Sequence, residues 1–318
     1  MQNDTEMFQT SLAGLGRSEW FGKVEEVIGD AGYVQPLGKR HSAIFVEGKP
    51  TLLVTFETLQ GIQSLSDEAH PMGWDMVGAM GWSHLCLVSD GDTWFRDPQV
   101  YAYFDLLTDE GFFDDFEQVI FYGAGPCGYA AAAYSVAAPG ATVVAIQPQA
   151  TLDPDMTEWD DRFVHMRRTD FTDRYGYAPD MLDAAARAFV IYDPRIQLDA
   201  MHAALFTRTN VTKLRTRNLG ETIQSDLLDM QLLHRVLARA AADRLTPAAF
   251  ARLYRTRRDH PPYLRRLLMR LQTEDRTPLA ILLCRNVVSR MNAPRIEKRL
   301  RALEASLTRS ETDGTDGG

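Results

Sequence analysis

The turn that follows residues 118–122 carries residue types with clear chemical potential. It reads YGAGPCGYAAAA, in which Gly123, Gly125 and Gly128 have the spacing GxGxxG between an apolar, β-rich run and a helical run of small residues. Glycines at this spacing let the backbone approach a pyrophosphate at a helix N-terminus. Cys127 adds a thiol, which becomes a nucleophile where a helix N-terminus lowers its pKa. The turn is therefore a candidate ligand-binding or catalytic site.

A dinucleotide such as FAD or NAD is one ligand that this turn could hold, and GAGPCG is similar to the GAGPAG of flavin-binding Rossmann proteins. Three features argue against it. Gln147 ends the next predicted strand, where such folds place the acidic residue that binds the ribose. At least three predicted strands precede the turn, whereas those flavoproteins begin with it. The following PQATLDP has no role in a dinucleotide fold. A nucleotide- or flavin-binding oxidoreductase stays open as an alternative.

A second pattern in the same stretch consists of FYGAGPCGYAAA and, further on, QPQATLDP. It resembles a bacterial branch of the α/β-hydrolase superfamily, associated with capsule and glycan-biosynthesis proteins, whose pattern is FYGSSMGGYAAL followed by SPQ, a few residues and DP. The resemblance covers roughly residues 50–235. It implies an α/β-hydrolase-like three-layer sandwich with a mostly parallel sheet, in which the turn is the nucleophile elbow between a central strand and a helix.

The resemblance also identifies what this sequence lacks. The family's nucleophilic serine falls on Gly125, and the residue whose N–H would bind the oxyanion falls on Pro126, which has no N–H. Glu221 stands where the family presents its histidine base. The orienting acid would be Asp193 or Asp199. The resemblance therefore implies a pseudoenzyme with a degenerate triad, whose vestigial positions are Gly125, Asp193 and Glu221.

Cys127 offers an alternative in which the protein is an enzyme with a cysteine nucleophile. Centred on Cys127, the turn would read GPCGY, and Tyr129 would crowd the position two residues on, where an elbow needs glycine. His202 in LDAMHAAL or His84 in GWSHL could approach the same sheet edge as a base. The other interpretation is that Cys127 is a small buried thiol. The sequence leaves both open.

Two loops complete the candidate site. The loop SDGDTWFRDP combines carboxylates, an arginine and a tryptophan, and we expect Asp92 and Trp94 to lie at the pocket edge. A polar turn that caps the following helix explains the same residues. The sequence WDDR at 159–162 recurs in the resembling family, and we expect an Asp/Arg pair to fix that loop. The predicted ligand-binding residues are Gly123, Gly125, Cys127, Gly128, Asp92 and Trp94.

Short β-rich runs that alternate with helical patterns must position these residues, and such alternation is typical of a mostly parallel sheet covered by helices. The predicted strands are 42–47, 51–56, 84–89, 118–122, 142–147, 188–192 and 211–215. Strand signals end after Gly220. Helical periods then begin near a proline or a capping threonine, and they cover 223–244, 247–258, 262–272 and 278–307.

These changes of pattern predict four regions. Residues 1–40 form a helical lead-in, with an amphipathic helix over 6–28 and a turn around Gly32. Residues 41–222 form the α/β-hydrolase-like domain, and residues 223–309 form a basic helical region. The last segment, SETDGTDGG at 310–318, has no apolar residue, so we expect it to be disordered.

Composition excludes several classes of protein for this chain. The chain has 318 residues, 45% of them hydrophobic, which is enough for a globular core. Its three cysteines are widely spaced, so we expect neither a disulfide framework nor a metal site. No segment has the length and apolarity of a membrane span, and the first residues lack the layout of a secretory signal. We therefore expect a cytoplasmic protein without membrane contact.

The charge is unevenly distributed. Residues 235–309 carry 18 Lys and Arg against 6 Asp and Glu, although the whole chain has a net charge of -9. The acidic remainder is the nearest polyanion for this basic region, so we expect self-docking or homodimer contacts and do not expect nucleic-acid binding. The function we predict is non-hydrolytic binding of a small polar ligand or a protein partner in the former active-site pocket, without a cofactor.

Overall fold

The structure is a computed structural model whose described residues are 10–313, with side chains described for 10–306. Eight strands form one sheet in the order β1-β2-β4-β3-β5-β6-β7-β8. The strands are β1 (Gly32–Leu37), β2 (His41–Val46), β3 (Lys49–Thr58), β4 (Trp82–Ser89), β5 (Gln118–Ala124), β6 (Thr142–Ile146), β7 (Arg187–Tyr192) and β8 (Val211–Arg215). Strand β2 is antiparallel to both of its neighbours, and all the other pairings are parallel.

The α-helices connect and cover these strands. They are α1 (Arg17–Ile28), α2 (Leu59–Leu65), α3 (Gly73–Met80), α4 (Pro98–Asp109), α5 (Pro126–Tyr134), α6 (Pro154–Thr157), α7 (Ala178–Met181), α8 (Gln197–Leu205), α9 (Ile223–Asp229), α10 (Leu233–Ala241), α11 (Pro247–Leu253), α12 (Pro261–Thr273), α13 (Thr277–Val288) and α14 (Pro294–Asp313). None of the helices in the described part of the chain is long and apolar enough to cross a membrane.

Helices lie on both faces of the sheet. On one face, α4 and α5 pack against the apolar side chains of β3, β5 and β6. Residues 127–134 of α5 are all buried, because alanine side chains let this helix lie close to the strands. On the opposite face, α1, α2 and α3 pack against β2 and β4. The predicted three-layer, mostly parallel α/β-hydrolase-like fold is confirmed, since the strand order, the single reversed strand and the β5–α5 turn are those of that fold.

All seven predicted strands are present, with ends that differ by no more than two residues. The turn predicted around Gly32 is wrong, because β1 occupies that segment at the sheet edge. Gly32 lies so close to β2 that a Cβ there would stand 1.8 Å from the carbonyl oxygen of Phe45. Pro36 lacks an N–H, yet an edge strand tolerates it because only one side of the strand is paired. The segment was predicted as a turn because glycine and proline, which also occur in edge strands, are typical turn residues.

The ends of the chain also differ from prediction. Residues 11–16 are not helical and α1 begins at Arg17, while residues 1–9 of the predicted lead-in lie outside the described residues. Residues 310–313 of the predicted disordered tail belong to α14, and 314–318 lie outside the described residues.

The chain divides into two compact units, Met1–Arg252 and Leu253–Gly318. This division lies later than the predicted one at 222, because α10 contacts β5 and β6 and thus belongs to the first unit. Gln118 of β5 also donates its amide N–H to the carbonyl oxygen of Ala241. The second unit has an apolar core of its own that includes Leu271, Cys284 and Leu303.

Candidate functional site

Gly125 sits at the sharp turn between β5 and α5. Its backbone angles are φ 58° and ψ -125°, a region that non-glycine residues enter only with strain. Two backbone hydrogen bonds fix the turn: the N–H of Gly125 donates to the carbonyl oxygen of Ile146 at 2.8 Å, and the N–H of Tyr129 donates to that of Gly125 at 3.0 Å. A Cβ at Gly125 would meet nothing within 4 Å. The turn thus has the strained geometry of a nucleophile elbow, opens into free space and carries no side chain.

The two other glycines of the turn serve close packing. A Cβ at Gly123 would lie 2.1 Å from the carbonyl oxygen of Cys127, and a Cβ at Gly128 would lie 2.9 Å from that of Ile146. Strand β5, helix α5 and strand β6 could not approach each other this closely with larger residues. The GxGxxG spacing is therefore explained by the sterics of an elbow.

A cleft of about 410 Å³ opens above Gly125. Its walls come from the ends of β5 and β6, the loop after β6, helix α8 and the segment after β8. It is lined by Leu65, Ala124, Gly125, Pro126, Gln147, Gln149, Arg162, Phe163, Asp199, Glu221, Thr222, Gln224 and Ser225. Five of its side chains carry an amide or a hydroxyl group, and its formal charges are one guanidinium and two carboxylates.

A dinucleotide does not fit this turn. Pro126 occupies the first helical position, so α5 lacks one of the N–H groups that would face a pyrophosphate. The carboxylates of Asp199 and Glu221 line the same cleft and would repel its negative charges. The residues at the turn therefore do not support the FAD or NAD alternative.

Two glutamines after β6 form one wall of the cleft. Gln147 has a φ of 48°, unusual for a residue with a side chain, and its Nε2 donates to Asp199 Oδ2 at 2.7 Å. Gln149 is 3% exposed and donates its Nε2 to the carbonyl oxygen of Gln147 at 3.2 Å. Its Oε1 has no hydrogen-bond partner among the described residues. A buried acceptor without a partner in an open cleft is a place where a ligand donor can bind.

Arg162 links the glutamine wall to the loop after α6. Its Nη1 donates to Asp199 Oδ1 at 2.7 Å, and its Nη2 donates to Asp160 Oδ2 at 2.8 Å. The predicted Asp/Arg pair in WDDR is thus formed by Asp160 and Arg162. The guanidinium also lies over the ring of Phe163, 5.1 Å from its centroid. Both carboxylates hold this arginine in one orientation at the cleft.

His202 is a buried member of the same network. Its Nδ1 accepts the backbone N–H of Ala150 at 3.1 Å, so Nε2 must carry the ring proton and donate to Asp160 Oδ2 at 2.8 Å. Burial would raise the pKa of Asp160, but hydrogen bonds from His202 and Arg162 outweigh it and hold that pKa well below its usual range. Because both ring nitrogens are engaged, His202 has no free nitrogen to act as a base for Cys127.

Cys127 is buried at the start of α5 and is not among the cleft-lining residues. Burial raises the pKa of its thiol, and the nearby carboxyl groups of Glu57 and Asp92 raise it further. A protonated, buried thiol is a poor nucleophile. The other candidate base, His84, is buried and hydrogen-bonded through Nε2 to Thr55 Oγ1. The geometry thus favours the small buried thiol.

The loop after β4 does not reach the cleft as predicted. Asp92 is exposed, Trp94 is fully buried, and neither lines the cleft. Trp94 instead packs edge-on against Phe163, with ring centroids 4.8 Å apart. Phe163 lines the cleft, so Trp94 contacts a cleft residue without lining the cleft itself. Asp97 caps α4 by accepting the N–H of Gln99, as the capping interpretation expects. Trp94 therefore acts through packing.

The two candidate acids have different surroundings. Asp193 follows β7 directly, is 1% exposed and accepts the N–H of Gly220 on Oδ2 at 2.9 Å and that of Arg195 on Oδ1 at 3.0 Å. It thereby holds the loop that brings the exposed Glu221 to the cleft. Asp199 belongs to the Arg162 network. Asp193 thus fixes the loop after β8, whereas Asp199 lines the cleft.

Sequence reasoning missed Gln149, Phe163, Gln224 and Ser225 as cleft residues, and used Gln147 only as evidence against a dinucleotide. The QPQ pattern directly after a strand carried a usable signal, since loops at the carboxyl ends of parallel strands form the ligand crevice of such sheets. Gln224 and Ser225 gave no signal, because they lie in an ordinary helical pattern.

No protein-family model and no curated protein matches this chain. Among solved structures, the Glycosylation Associate Protein (Gap123) complex from Streptococcus agalactiae is 12% identical with a TM-score of 0.45, over 66% of this chain and 46% of that one. This chain thus spans less than half the length of that neighbour.

Two esterases give similar values. Est1E from Butyrivibrio proteoclasticus is 11% identical with a TM-score of 0.40, over 67% of this chain and 100% of that one. The metagenomic carboxylesterase EstE1 is 14% identical with a TM-score of 0.43, over 72% of this chain and 96% of that one. Likeness at this distance does not indicate activity. The strand order and the elbow at Gly125 establish what is shared: the chain has the α/β-hydrolase fold.

Proposed function

We propose that the protein binds a small, uncharged polar ligand in the cleft at Gly125 and does not hydrolyse it. The observation that carries this proposal is the elbow itself. The backbone at Gly125 has the strained elbow conformation, and the space where a nucleophile would stand is open. A glycine in that position leaves the cleft accessible to a ligand and supplies no attacking atom.

The surrounding groups support a non-hydrolytic role. Ester hydrolysis needs a nucleophile, a base and donors to the oxyanion, which act as one unit. At the three corresponding positions this chain has Gly125, Glu221 and Pro126. His202 and His84, the nearest histidine candidates from the sequence, are buried in hydrogen-bonded networks. Hydrolysis therefore has no complete set of groups at this cleft.

The lining indicates the ligand chemistry. Gln149 Oε1 needs a donor, and Gln147, Gln224 and Ser225 offer further amide and hydroxyl groups. The guanidinium of Arg162 is already paired with two carboxylates. An anionic ligand would be repelled by the carboxylates of Asp199 and Glu221. Among the lining residues, the positive charge belongs to Arg162, which is already paired. An uncharged molecule with several hydroxyl groups matches this lining better than a phosphate or carboxylate.

The test combines native mass spectrometry of protein purified from cells with thermal-shift titration by a panel of uncharged polyols and matched organic phosphates. We expect a saturable rise in Tm with polyols and little or none with phosphates. Gln149→Met, which keeps the side-chain length and removes the unpartnered acceptor, should weaken polyol binding about 10-fold. Gln99→Met, on an exposed residue of α4, is the control and should bind like the wild type.

Three outcomes contradict the proposal. A flavin or nucleotide that co-purifies at the turn would favour the oxidoreductase alternative. Covalent labelling by a fluorophosphonate probe would reveal a serine nucleophile. The third is that polyols leave the Tm unchanged while a partner protein binds the wild type and not Gln149→Met. That result would assign the cleft to a protein partner.

A further inference from the structure

Another cleft lies within the unit Leu253–Gly318, where residues of α12 and α13 meet the turn that leads into α14. We call it the helical-unit cleft. Two of its lining residues, Leu264 of α12 and Val287 of α13, are buried, whereas Met291 and Ile296 are partly exposed. Seven of the ten residues that line it have apolar side chains. A predominantly apolar cleft with few polar groups is the usual form of a small-molecule site.

The formal charges in this lining are two guanidinium groups, which belong to Arg265 on α12 and Arg295 on α14. Both residues are exposed, and neither has a hydrogen-bond or ion-pair partner among the described residues. The carboxylate of Glu297 is close to Arg295 in sequence, but it pairs with Arg301 at 2.5 Å. The helical-unit cleft thus combines an apolar lining with two positive charges that are not neutralised within it.

We propose that the helical-unit cleft binds a small amphipathic anion, namely a free carboxylic acid with an unbranched apolar chain. The chain would be buried against the apolar lining, which is favourable in proportion to the apolar area removed from water. The carboxylate is ionised at neutral pH, and guanidinium groups match its planar geometry. This site is separate from the cleft at Gly125 and does not depend on the ligand proposed there.

The volume of the cleft sets the size of the acid. It measures about 360 Å³, at the lower end of the range for small-molecule sites (~300–1,000 Å³). At roughly 30 Å³ per non-hydrogen atom, the share of one water molecule in the liquid, 360 Å³ holds about twelve such atoms. Decanoate has this size. We therefore expect an acid of about ten carbons to fill the cleft.

Charge distinguishes this cleft from the one at Gly125. There, Arg162 is paired with two carboxylates, and Glu221 adds a negative charge to the lining. The lining of the helical-unit cleft contains no carboxylate, so no lining group opposes an anion. Residues 253–309 also carry 14 Lys and Arg against 5 Asp and Glu, which attracts anions to this unit. An inorganic anion would leave the apolar lining uncovered, so the ligand needs both parts.

Isothermal titration calorimetry of the full chain with octanoate, decanoate and dodecanoate, each below its micelle concentration, tests the proposal. We expect one site per chain and a Kd that falls about 4-fold for each added methylene until the cleft is filled. Decanol and decylamine have the same chain without the carboxylate, so they should bind at least ~5-fold more weakly than decanoate. Added salt should weaken the binding of decanoate but not that of decanol.

Variants of the lining locate the two parts of the ligand. Arg265→Gln and Arg295→Gln should each weaken decanoate binding about 2- to 5-fold and leave decanol binding unchanged. Arg255→Gln removes an exposed arginine of the same unit outside the lining and is the matched control. Met291→Trp fills the cleft and should abolish the binding of both molecules. Met269→Trp, at a residue that is 64% exposed and outside the lining, should bind both like the wild type.

Wild-type protein that shows no saturable binding of decanoate would overturn the proposal, and so would decanol or decylamine that binds as tightly. Decanoate binding that is kept in Met291→Trp and lost in Gln149→Met would overturn it by placing the acid in the cleft at Gly125. Binding to phosphatidylglycerol vesicles without binding of decanoate would overturn it in favour of a membrane surface. The wild-type and arginine measurements are decisive if Met291→Trp fails to fold. None of these outcomes depends on polyol binding at Gly125.

Discussion

Asp193 Oδ2 accepts a hydrogen bond from the backbone N–H of Gly220 at 2.9 Å. This bond joins the residue after β7 to the loop after β8, the two places from which an α/β-hydrolase presents its acid and its base. In this chain the acid contacts the backbone of the loop, and the next residue is Glu221 instead of a histidine. Asp193 therefore fixes the loop that brings Glu221 to the cleft.

We predict that Gly125→Ser alone produces no esterase activity above wild type on p-nitrophenyl acetate. The new side chain has space, but it lacks a base and one oxyanion donor, and each loss typically reduces the rate by ~10²–10³ or more. The triple change Gly125→Ser, Pro126→Met, Glu221→His is the fair test of the scaffold. Esterase activity in Gly125→Ser that is lost when His202→Ala is added would contradict this prediction. It would identify His202 as the base.

Cys127 should react slowly with iodoacetamide at neutral pH in the folded protein. Burial raises the pKa of this thiol, so little thiolate is present, and the side chain is 7% exposed. Peptide mapping after timed alkylation measures the rate at each cysteine, and the same protein in urea gives the rate of the exposed thiol. Rapid labelling with a titration midpoint below ~8.5, the value of a free thiol, would favour the cysteine enzyme.

His202→Ala should destabilise the protein by about 1–3 kcal/mol, because it removes one donor to the buried carboxylate of Asp160, which keeps Arg162, and leaves the buried N–H of Ala150 without its acceptor. Urea unfolding followed by circular dichroism measures the change in the free energy of unfolding. His165→Ala, on an exposed histidine of the same loop region, is the control and should change it by less than about 0.5 kcal/mol. Equal effects of the two variants would show that the network has little energetic weight.

Stability should fall as the pH is lowered from about 6.5 to about 4 because of His41. Burial lowers the pKa of this histidine to about 4, against the opposing influence of Asp97. The unfolded chain therefore takes up a proton in this window while the folded chain does not, a difference of up to about 3 kcal/mol. Its Nε2 lies 2.8 Å from Thr93 Oγ1. His41→Gln should flatten the pH dependence of unfolding, and an unchanged slope would exclude His41 as its source.

A chain that ends after Arg252 should fold, whereas a chain that ends after Leu228 should not remain soluble. The first keeps one compact unit whole. The second removes α10, whose Leu233, Val236 and Leu237 are buried. Cooperative thermal unfolding by circular dichroism distinguishes the two. A cooperative transition in the shorter chain would show that α10 is dispensable for the sheet.

The sequence by itself determined the strands and the tight glycine turn at Gly125. β-rich runs of five to ten residues separated by helical patterns carry local information, because side-chain periodicity and turn residues act within a few positions. The glycine spacing around Gly125 also acts locally, since it reflects steric limits of one strand–turn–helix unit. Among the strands, only β1 was not predicted, because glycine and proline, here Gly32 and Pro36, occur in edge strands as well as in turns.

Tertiary structure alone decided which polar groups meet. Gln149, Arg162 and Asp199 come from different loops and a helix, and they share one cleft because parallel strands end at the same edge of the sheet. The burial of Trp94 and the pairing of Thr55 with Cys86 likewise depend on strand register and on what packs above it. Periodicity assigns a residue to a strand, whereas the distance between side chains that are far apart in sequence is set only when the sheet closes around its core.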